Sequence, residues 1–529
     1  MKTSPSLVHH FLERSASRYS EKLAVVHQQY RADYLQINAW ANKLAHYLLE
    51  EGVASGERIA VLCENSMEYI CCYYGVLKAG GIFVSLNTEL RIQGLTELLK
   101  ELEPRAMIIS PKYAKIVRML DLSLCGVGRL LVIGRHWGAR SVGDGFSLLP
   151  AEAAAQPDRN PGLSIDPISC AAIIYTSGSA GKPKGVMLSH ANIVANTQSI
   201  IRYLKLTSRD VQMVVLPFFY VMGKSLLNTH FAVGGTVVLN NHFAYTASVL
   251  RQMAEEKVTG FSGVPSTYAY LLFKSPLQDY RDKLPDLRYC SQAGGHMPSY
   301  VKKELVKRLP SHTKLYVMYG ATEASARLAY VPPDRLESKW DSIGIPIPGV
   351  TLKVMSSEGR ALGPGKLGEL VAQGANIMLG YYKNAEATKR VLDSDGYHTG
   401  DIGYVDKEGF FYINGRKDDQ IKIGGHRLNP QEIEDVVIES GQAAECAIFT
   451  IDDAIMGHKL AGLVVPIQES SETARIILNY CTKKLPKYKV PGSLLTVEAI
   501  PKNSNGKPDR LKSRELFTNN AGKKTRDHV

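Results

Sequence analysis

The sequence predicts an α/β protein of more than one domain, and three observations carry that reading. Apolar, strand-like segments alternate with helix-length amphipathic segments through the first 340 residues or so. The texture then turns to short strands punctuated by Gly and Pro. A charged, turn-prone segment at residues 415–419 opens a further alternating region. A chain of 529 residues, 45% hydrophobic, exceeds what one core usually supports, so two or three domains are expected.

The opening segment MKTSPSLVHHFLERSASRYSEK has no signal-peptide hydrophobic stretch and reads as an amphipathic helix. Residues 35–51 place apolar side chains at helical intervals, 58–62 read as a strand and 67–78 as a helix. A strand restarts at Ile82 after Gly80-Gly81. A second set follows with strands at 106–110 and 130–133, and the alternation returns at 211–216, 236–239, 257–261 and 315–318. Such alternation predicts parallel sheets with crossover helices, here as two α/β subdomains. Segments 343–350, 362–371 and 410–413 predict a compact β-rich subdomain, and residues 151–155 a short local helix. The main boundary is set at 415, dividing the chain into 1–415 and a small domain, 416–529.

The formal charge is +12, with basic residues gathered late in the chain at Lys483, Lys484, Lys487, Lys489, Lys502, Lys507, Arg510, Lys512 and Arg514. This is either a field for a polyanion or a solvated basic face. No zinc spacing, aromatic-basic RNA motif or recognition helix accompanies it, so no nucleic-acid partner is expected. Eight Cys lack the spacing of a small secreted domain, and Cys71-Cys72 read as buried thiols. No run approaches 18 uncharged apolar residues, so no transmembrane segment is expected and a cytoplasmic protein is the default.

The strongest local feature is the run Ile173-Ile174-Tyr175-Thr176-Ser177-Gly178-Ser179-Ala180-Gly181-Lys182-Pro183-Lys184-Gly185. An apolar strand enters a loop whose glycines let backbone donors approach phosphate oxygens. Thr176, Ser177 and Ser179 add hydroxyls and Lys184 a charge. It is not a Walker A loop, since Pro183 follows Lys182. Read alone, the segment is a phosphate cradle or a structural turn. Further along stand Ala293-Gly294-Gly295-His296, Tyr319-Gly320-Ala321-Thr322-Glu323, Tyr397-His398-Thr399-Gly400-Asp401, Gly415-Arg416-Lys417-Asp418, Ile423-Gly424-Gly425-His426 and Asn505-Gly506-Lys507-Pro508-Asp509-Arg510.

In this order, and over nearly the full chain, these segments resemble the motifs of the adenylate-forming superfamily. That superfamily contains acyl- and aryl-coenzyme A synthetases, luciferases and peptide-synthetase adenylation domains. The resemblance implies a large N-terminal region and a small, mobile C-terminal α+β domain. It also implies roles. The loop residues Thr176, Ser177, Gly178, Ser179, Gly181 and Lys184 would hold phosphate, with Ala180 standing where a hydroxyl is usual. Tyr319 and Gly320 would lie against adenine, Thr322 would contact the α-phosphate, and Glu323 would help hold Mg²⁺. Gly295 and His296 would add nucleotide contacts, although a solvent-facing histidine is as good a reading. Asp401 would accept from both ribose hydroxyls and Arg416 would reach the nucleotide. Lys417 or Asp418 would be the hinge, and Gly424-Gly425 would leave room for a thiol arm. Lys507, rather than Lys502, would bridge carboxylate and α-phosphate during attack.

The implied reaction joins a small carboxylic acid to a thiol through an acyl-adenylate, with ATP, Mg²⁺ and coenzyme A. A separate acyl-carrier protein bearing phosphopantetheine is the rival acceptor, because no carrier-attachment segment follows the Lys507 motif. A non-catalytic nucleotide-binding protein is the reading from another class. Phe219, Tyr220, Met222, Val264, Gly294, Met318 and Arg327 are the expected acid pocket. Tyr220 stands where many coenzyme A synthetases have histidine and amino-acid adenylation domains have aspartate. A phenol, neutral near pH 7, cannot balance a substrate ammonium. Monomer and homodimer are equally compatible with the sequence.

Overall fold

A computed structural model describes residues 5–134, 151–176, 183–416, 421–423, 426–453, 457–502 and 508–524. Two large sheets form the N-terminal region. One has seven strands, in the order Gly380–Tyr381, Lys184–Ser189, Cys170–Thr176, Ile82–Ser85, Arg58–Leu62, Ala106–Ile109 and Leu130–Val132. Its last five strands run parallel, and Lys184–Ser189 and Gly380–Tyr381 are antiparallel additions. The other has nine strands. A parallel centre of Leu23–His27, Thr236–Leu239, Val211–Val214, Gly260–Gly263, Tyr289–Gln292 and Lys314–Tyr319 is flanked by antiparallel edges. These are the two predicted α/β subdomains.

One continuous core joins the sheets through the helices Tyr34–Glu50, Met67–Lys78, His190–Leu204 and Val221–Val233. Met67–Lys78 is buried almost all round, as its mostly apolar sequence requires. Ser66 caps it by accepting from the Tyr69 amide, and Gly75 lets it cross the helix Tyr34–Glu50. A Cβ at Gly75 would lie 3.0 Å from the Ala41 carbonyl. Cys71 and Cys72 are buried on this helix, and burial pushes both thiols up. Asp33 with Gln36 and Ser189 with Asn192 form capping boxes that set the entry of the two neighbouring helices.

The predicted β-rich subdomain is a five-stranded antiparallel sheet built around Val350–Met355, Gly368–Gly374 and Gly396–Val405, with Phe411–Arg416 on its edge. In the small domain, the strands Ala443–Asp453, Gly457–Pro466 and Ser493–Thr496 pack with the helices Pro430–Glu439 and Thr473–Lys484. It docks on the N-terminal region through an apolar seam in which Ile433, Val437 and Ile438 share a core with Leu271, Leu272, Val301 and Leu305.

Candidate active site

The glycine-rich loop is the tip of a hairpin. Cys170–Thr176 runs in, Lys184–Ser189 runs back antiparallel, and Thr176 pairs with Lys184 at the loop's base. Ser177, Gly178, Ser179 and Gly181 lie outside the described residues, as do Lys417, Asp418, Gly424, Gly425 and Lys507. The ammonium of Lys184 lies 5.1 Å from the centroid of the Tyr381 ring. The Tyr381 hydroxyl in turn donates to Glu323 Oε1 at 2.8 Å. Tyr381 therefore joins the expected phosphate lysine to the expected metal carboxylate. Sequence reasoning did not single it out, and a lone Tyr in a two-residue edge strand offers no local signal.

Tyr319 ends its strand, and a short 3-10 turn, Thr322–Ala324, follows. Ser325 (φ 56°) and Ala326 (φ 124°) then reverse the chain in conformations that L-residues rarely adopt. Gly320 makes the reversal possible, since a Cβ there would meet the Ala326 carbonyl at 2.0 Å. Two buried asparagines pin the turn, with Nδ2 of Asn196 and of Asn376 each donating to the carbonyls of Ala324 and Arg327. Backbone strain of this kind persists only where surrounding contacts over-determine it.

Asp401 and Arg416 face each other on paired strands. The carboxylate of Asp401 accepts from the Tyr319 hydroxyl at 2.5 Å and from Arg416 Nε at 2.9 Å. Burial, with Asp401 beside it, drives the Tyr319 phenol well above its ordinary range. The ribose carboxylate, the nucleotide arginine and the adenine-side tyrosine expected from the sequence are thus one hydrogen-bonded cluster.

The expected pocket residues fall into two groups. Tyr220 is the N-cap of Val221–Val233, its ring 4.4 Å from that of Phe219, and burial pushes its phenol up. Gly223 allows this first turn to sit on the chain before it, because a Cβ would lie 2.2 Å from the Pro217 carbonyl. Gly294 (φ 87°) fits against Val264, whose Cγ1 would lie 3.1 Å from a Cβ there. Met222 and Met318 belong to the same core, against which Val264 packs. Met318 Sδ accepts from the Tyr203 hydroxyl at 2.9 Å.

Two expected site residues have long-range surroundings that the sequence did not indicate. His296 is exposed and reaches across to the small domain. Its Nε2 lies 2.9 Å from both carboxylate oxygens of Asp435 on the small domain's first helix. Arg327 is buried to 2% exposure, just past the strained turn. The rival lysine, Lys502, is taken up in an ion pair with Glu445 at 2.9 Å. It also forms a bridge with Pro508, so the ends of the segment carrying Lys507 are held together.

A profile described as AMP-binding enzyme matches residues 12–382, and one for the C-terminal domain of AMP-binding enzymes matches 432–507. The chain belongs to the AMP-binding enzyme family. Among relatives, a putative acyl-CoA synthetase, YngI, of Bacillus subtilis is 27% identical over 96% of this chain and 97% of its own. A 2-succinylbenzoate–CoA ligase of Bacillus cereus is 29% identical over 98% and 99%. A probable 4-coumarate–CoA ligase 1 of Dictyostelium discoideum is 31% identical over 88% and 86%. Among solved structures, ATP-bound MatB from Rhodopseudomonas palustris superposes with a TM-score of 0.83 at 25% identity, covering 96% of this chain and 99% of that one. The anthranilate CoA ligase AuaEII with anthranoyl-AMP shares the fold at a TM-score of 0.88 and 23% identity over 98% of both chains. As an AMP-binding enzyme, the chain is an AMP-forming acid–thiol ligase. No helix among the described residues is long and apolar enough to cross a membrane.

Proposed function

We propose that the protein is a carboxylate–coenzyme A ligase. A substrate carboxylate oxygen attacks the α-phosphorus of ATP, and pyrophosphate departs with the bonding electrons of the broken P–O bond. The resulting acyl-adenylate is attacked at its acyl carbon by the thiol sulfur of coenzyme A. The thiol gives up its proton and AMP leaves as the thioester forms. The observation that carries the reading is the convergence of Tyr319, Asp401 and Arg416 with Glu323, Tyr381 and Lys184 around one strained turn.

On this reading Asp401 holds the ribose, Tyr319 and Gly320 border the base, and Arg416 reaches the nucleotide. Thr322 donates to the α-phosphate, and Thr176, Lys184 and the loop between them cradle the rest. Glu323 suits Mg²⁺, which needs few protein oxygens when substrate phosphates complete its shell. When bound, the ion supplies charge neutralisation to those phosphates. Tyr381 fixes one oxygen of Glu323 toward that task. Lys507 meets the charge that builds during attack. Rotation of the small domain about Lys417 or Asp418 then withdraws Lys507 and brings Gly424-Gly425 to the thiol arm.

Incubating the enzyme with ATP, Mg²⁺ and pooled carboxylic acids, with and without coenzyme A, tests this by product mass. Acyl-coenzyme A and AMP are expected. Acyl-adenylate without thioester would transfer the reading to a carrier-protein ligase. ATP binding with no acid-dependent pyrophosphate release would sink it. Lys507→Ala should still bind ATP and lose most adenylation.

A further inference from the structure

Arg327 carries a full charge inside the protein, and no carboxylate among the described residues pairs with it. The residue is 2% exposed, its Nε has no hydrogen-bond partner among the described residues, and one terminal nitrogen donates to the Ala326 carbonyl at 3.2 Å. The Tyr203 hydroxyl contacts its guanidinium. A buried guanidinium left in this state is costly, because nothing replaces the water and counter-ions it has lost. Asn196 Oδ1 and Asn376 Oδ1, on the two side chains that pin this turn, are also buried with no hydrogen-bond partner among the described residues.

The place is as telling as the charge. A Cβ on Gly320 would lie 2.8 Å from the Arg327 Cα, so Arg327 sits directly behind the segment that joins Met318 and Tyr319 to Glu323. Tyr203, which contacts Arg327, also donates to the sulfur of Met318 and stacks on Tyr330 at 4.2 Å. The arginine meets Tyr203 on the Met318 side of the turn, and Asn196 and Asn376 fix its backbone there by donating to its carbonyl.

We infer that Arg327 receives a second anionic group of the acid, so that the substrate class is an acid bearing another carboxylate on its far end. This rests on the acid–coenzyme A ligase reading. A planar guanidinium presents paired N–H donors that match a carboxylate, which a lysine does not. The occupant must be small enough for the protein to enclose completely. The end of an acid inside its pocket meets that condition, whereas the phosphates of coenzyme A, attached to a bulky nucleotide, do not. The reacting carboxylate itself belongs on the other side of Gly320, by Thr322 and Glu323.

The test compares acids paired by length and shape: octanoate with suberate, hexanoate with adipate, benzoate with phthalate. Thioester formation is measured for wild type, Arg327→Met and Arg327→Lys. Wild type is expected to favour at least one dicarboxylate over its partner by about 100-fold or more in kcat/KM, because a site with buried polar groups rejects the analogue that leaves them unpaired. Arg327→Met should abolish that preference while still turning over the monocarboxylate, and Arg327→Lys should keep only part of it. Thermal melting gives a second readout. Without acid, Arg327→Met should melt no lower than wild type, and the preferred dicarboxylate should raise the melting point of wild type only. Equal loss of both members of every pair in Arg327→Met, or a wild type that prefers the monocarboxylate throughout, would overturn the inference and leave the ligase standing. Failure to form thioester or release pyrophosphate with any acid would remove the ligase reading, and this inference with it.

Discussion

Side chains of the candidate site are held by their neighbours, and Asp401 is the clearest case. Both of its oxygens are engaged by neighbours, and it is 9% exposed. Hydrogen bonds to a charged group contribute about 1.5–3 kcal/mol, so Asp401→Asn is expected to weaken ATP use by about 10- to 100-fold. Steady-state kinetics with ATP as the varied substrate checks this, and an unchanged KM for ATP would remove Asp401 from the nucleotide site. Lys224 is held differently. Its ammonium is buried among the rings of Tyr69, Tyr73 and Phe83, the nearest centroid 4.2 Å away, with no hydrogen-bond partner among the described residues. Burial lowers it well below its ordinary 10.5. Replacing a buried charge with an apolar side chain of similar size is commonly stabilising by about 1–3 kcal/mol, so Lys224→Met should raise stability. The unfolded chain keeps its proton up to about 10.5 whereas the folded chain loses it sooner, so wild-type stability rises with pH in that window. The advantage of Lys224→Met should accordingly shrink as pH climbs toward 10.5. Denaturation series at several pH values would show it, and a pH-independent difference would argue against a buried ammonium.

At the scale of elements, the docking of the first helix, His10–Arg18, carries a pH dependence. The Val8 amide just before it donates to Nδ1 of buried His190, at the start of His190–Leu204, at 3.2 Å. Burial, then the neighbouring His10, lowers His190 from 6.5 to about 4. This contribution to stability is complete above pH 6.5 and is lost as pH falls toward 4, where the unfolded chain binds the proton first. A separation of that size corresponds to something on the order of 3 kcal/mol. His190→Gln keeps an acceptor but cannot titrate, and it should flatten the stability profile between pH 6.5 and 4. An unaltered profile would assign the acid sensitivity elsewhere. Elements were also the level most legible in the sequence. The helix 67–78 and the strands around it are where apolar periodicity put them, since buried parallel strands and a fully enclosed helix leave little ambiguity. The expected strand 362–371 begins only at Gly368, because Gly363-Pro364-Gly365 makes a turn first. Residues 257–261 yield a strand only from Gly260, as Lys257 takes φ 50° in leaving a helix. The site was legible where residues lie close in sequence, as in Tyr319 through Glu323. Pairings over long separations, such as His296 with Asp435 or Tyr381 with Glu323, leave no local pattern to read.

For the whole molecule, the issue is how the small domain is retained where it is seen. The apolar seam is reinforced by His296 with Asp435, and by Lys274 Nζ donating to the Ile467 carbonyl at 3.2 Å. The His296–Asp435 contact is about a third exposed, so it contributes little energy and much orientation. Asp435→Asn is expected to shift the balance of domain positions without unfolding either part. Small-angle scattering should report a larger radius of gyration, and adenylation and thioester formation should change by unequal factors. Identical scattering with identical half-reaction rates would mean that the seam alone sets the arrangement.

The cluster at Asp401 has one more consequence, for what the enzyme can tell apart. With Tyr319 and Arg416 already on the carboxylate, an incoming ribose does not add contacts to an idle acceptor; it trades places with partners already there. On the proposed reading, a sugar with both hydroxyls restores what it displaces. A 2′-deoxy sugar displaces the same partners and returns one bond fewer, leaving a buried oxygen unmet. Selection for a ribonucleotide is then a property of the empty enzyme, fixed before any nucleotide arrives, and dATP should fail as a substrate by more than the loss of one exposed hydrogen bond would give.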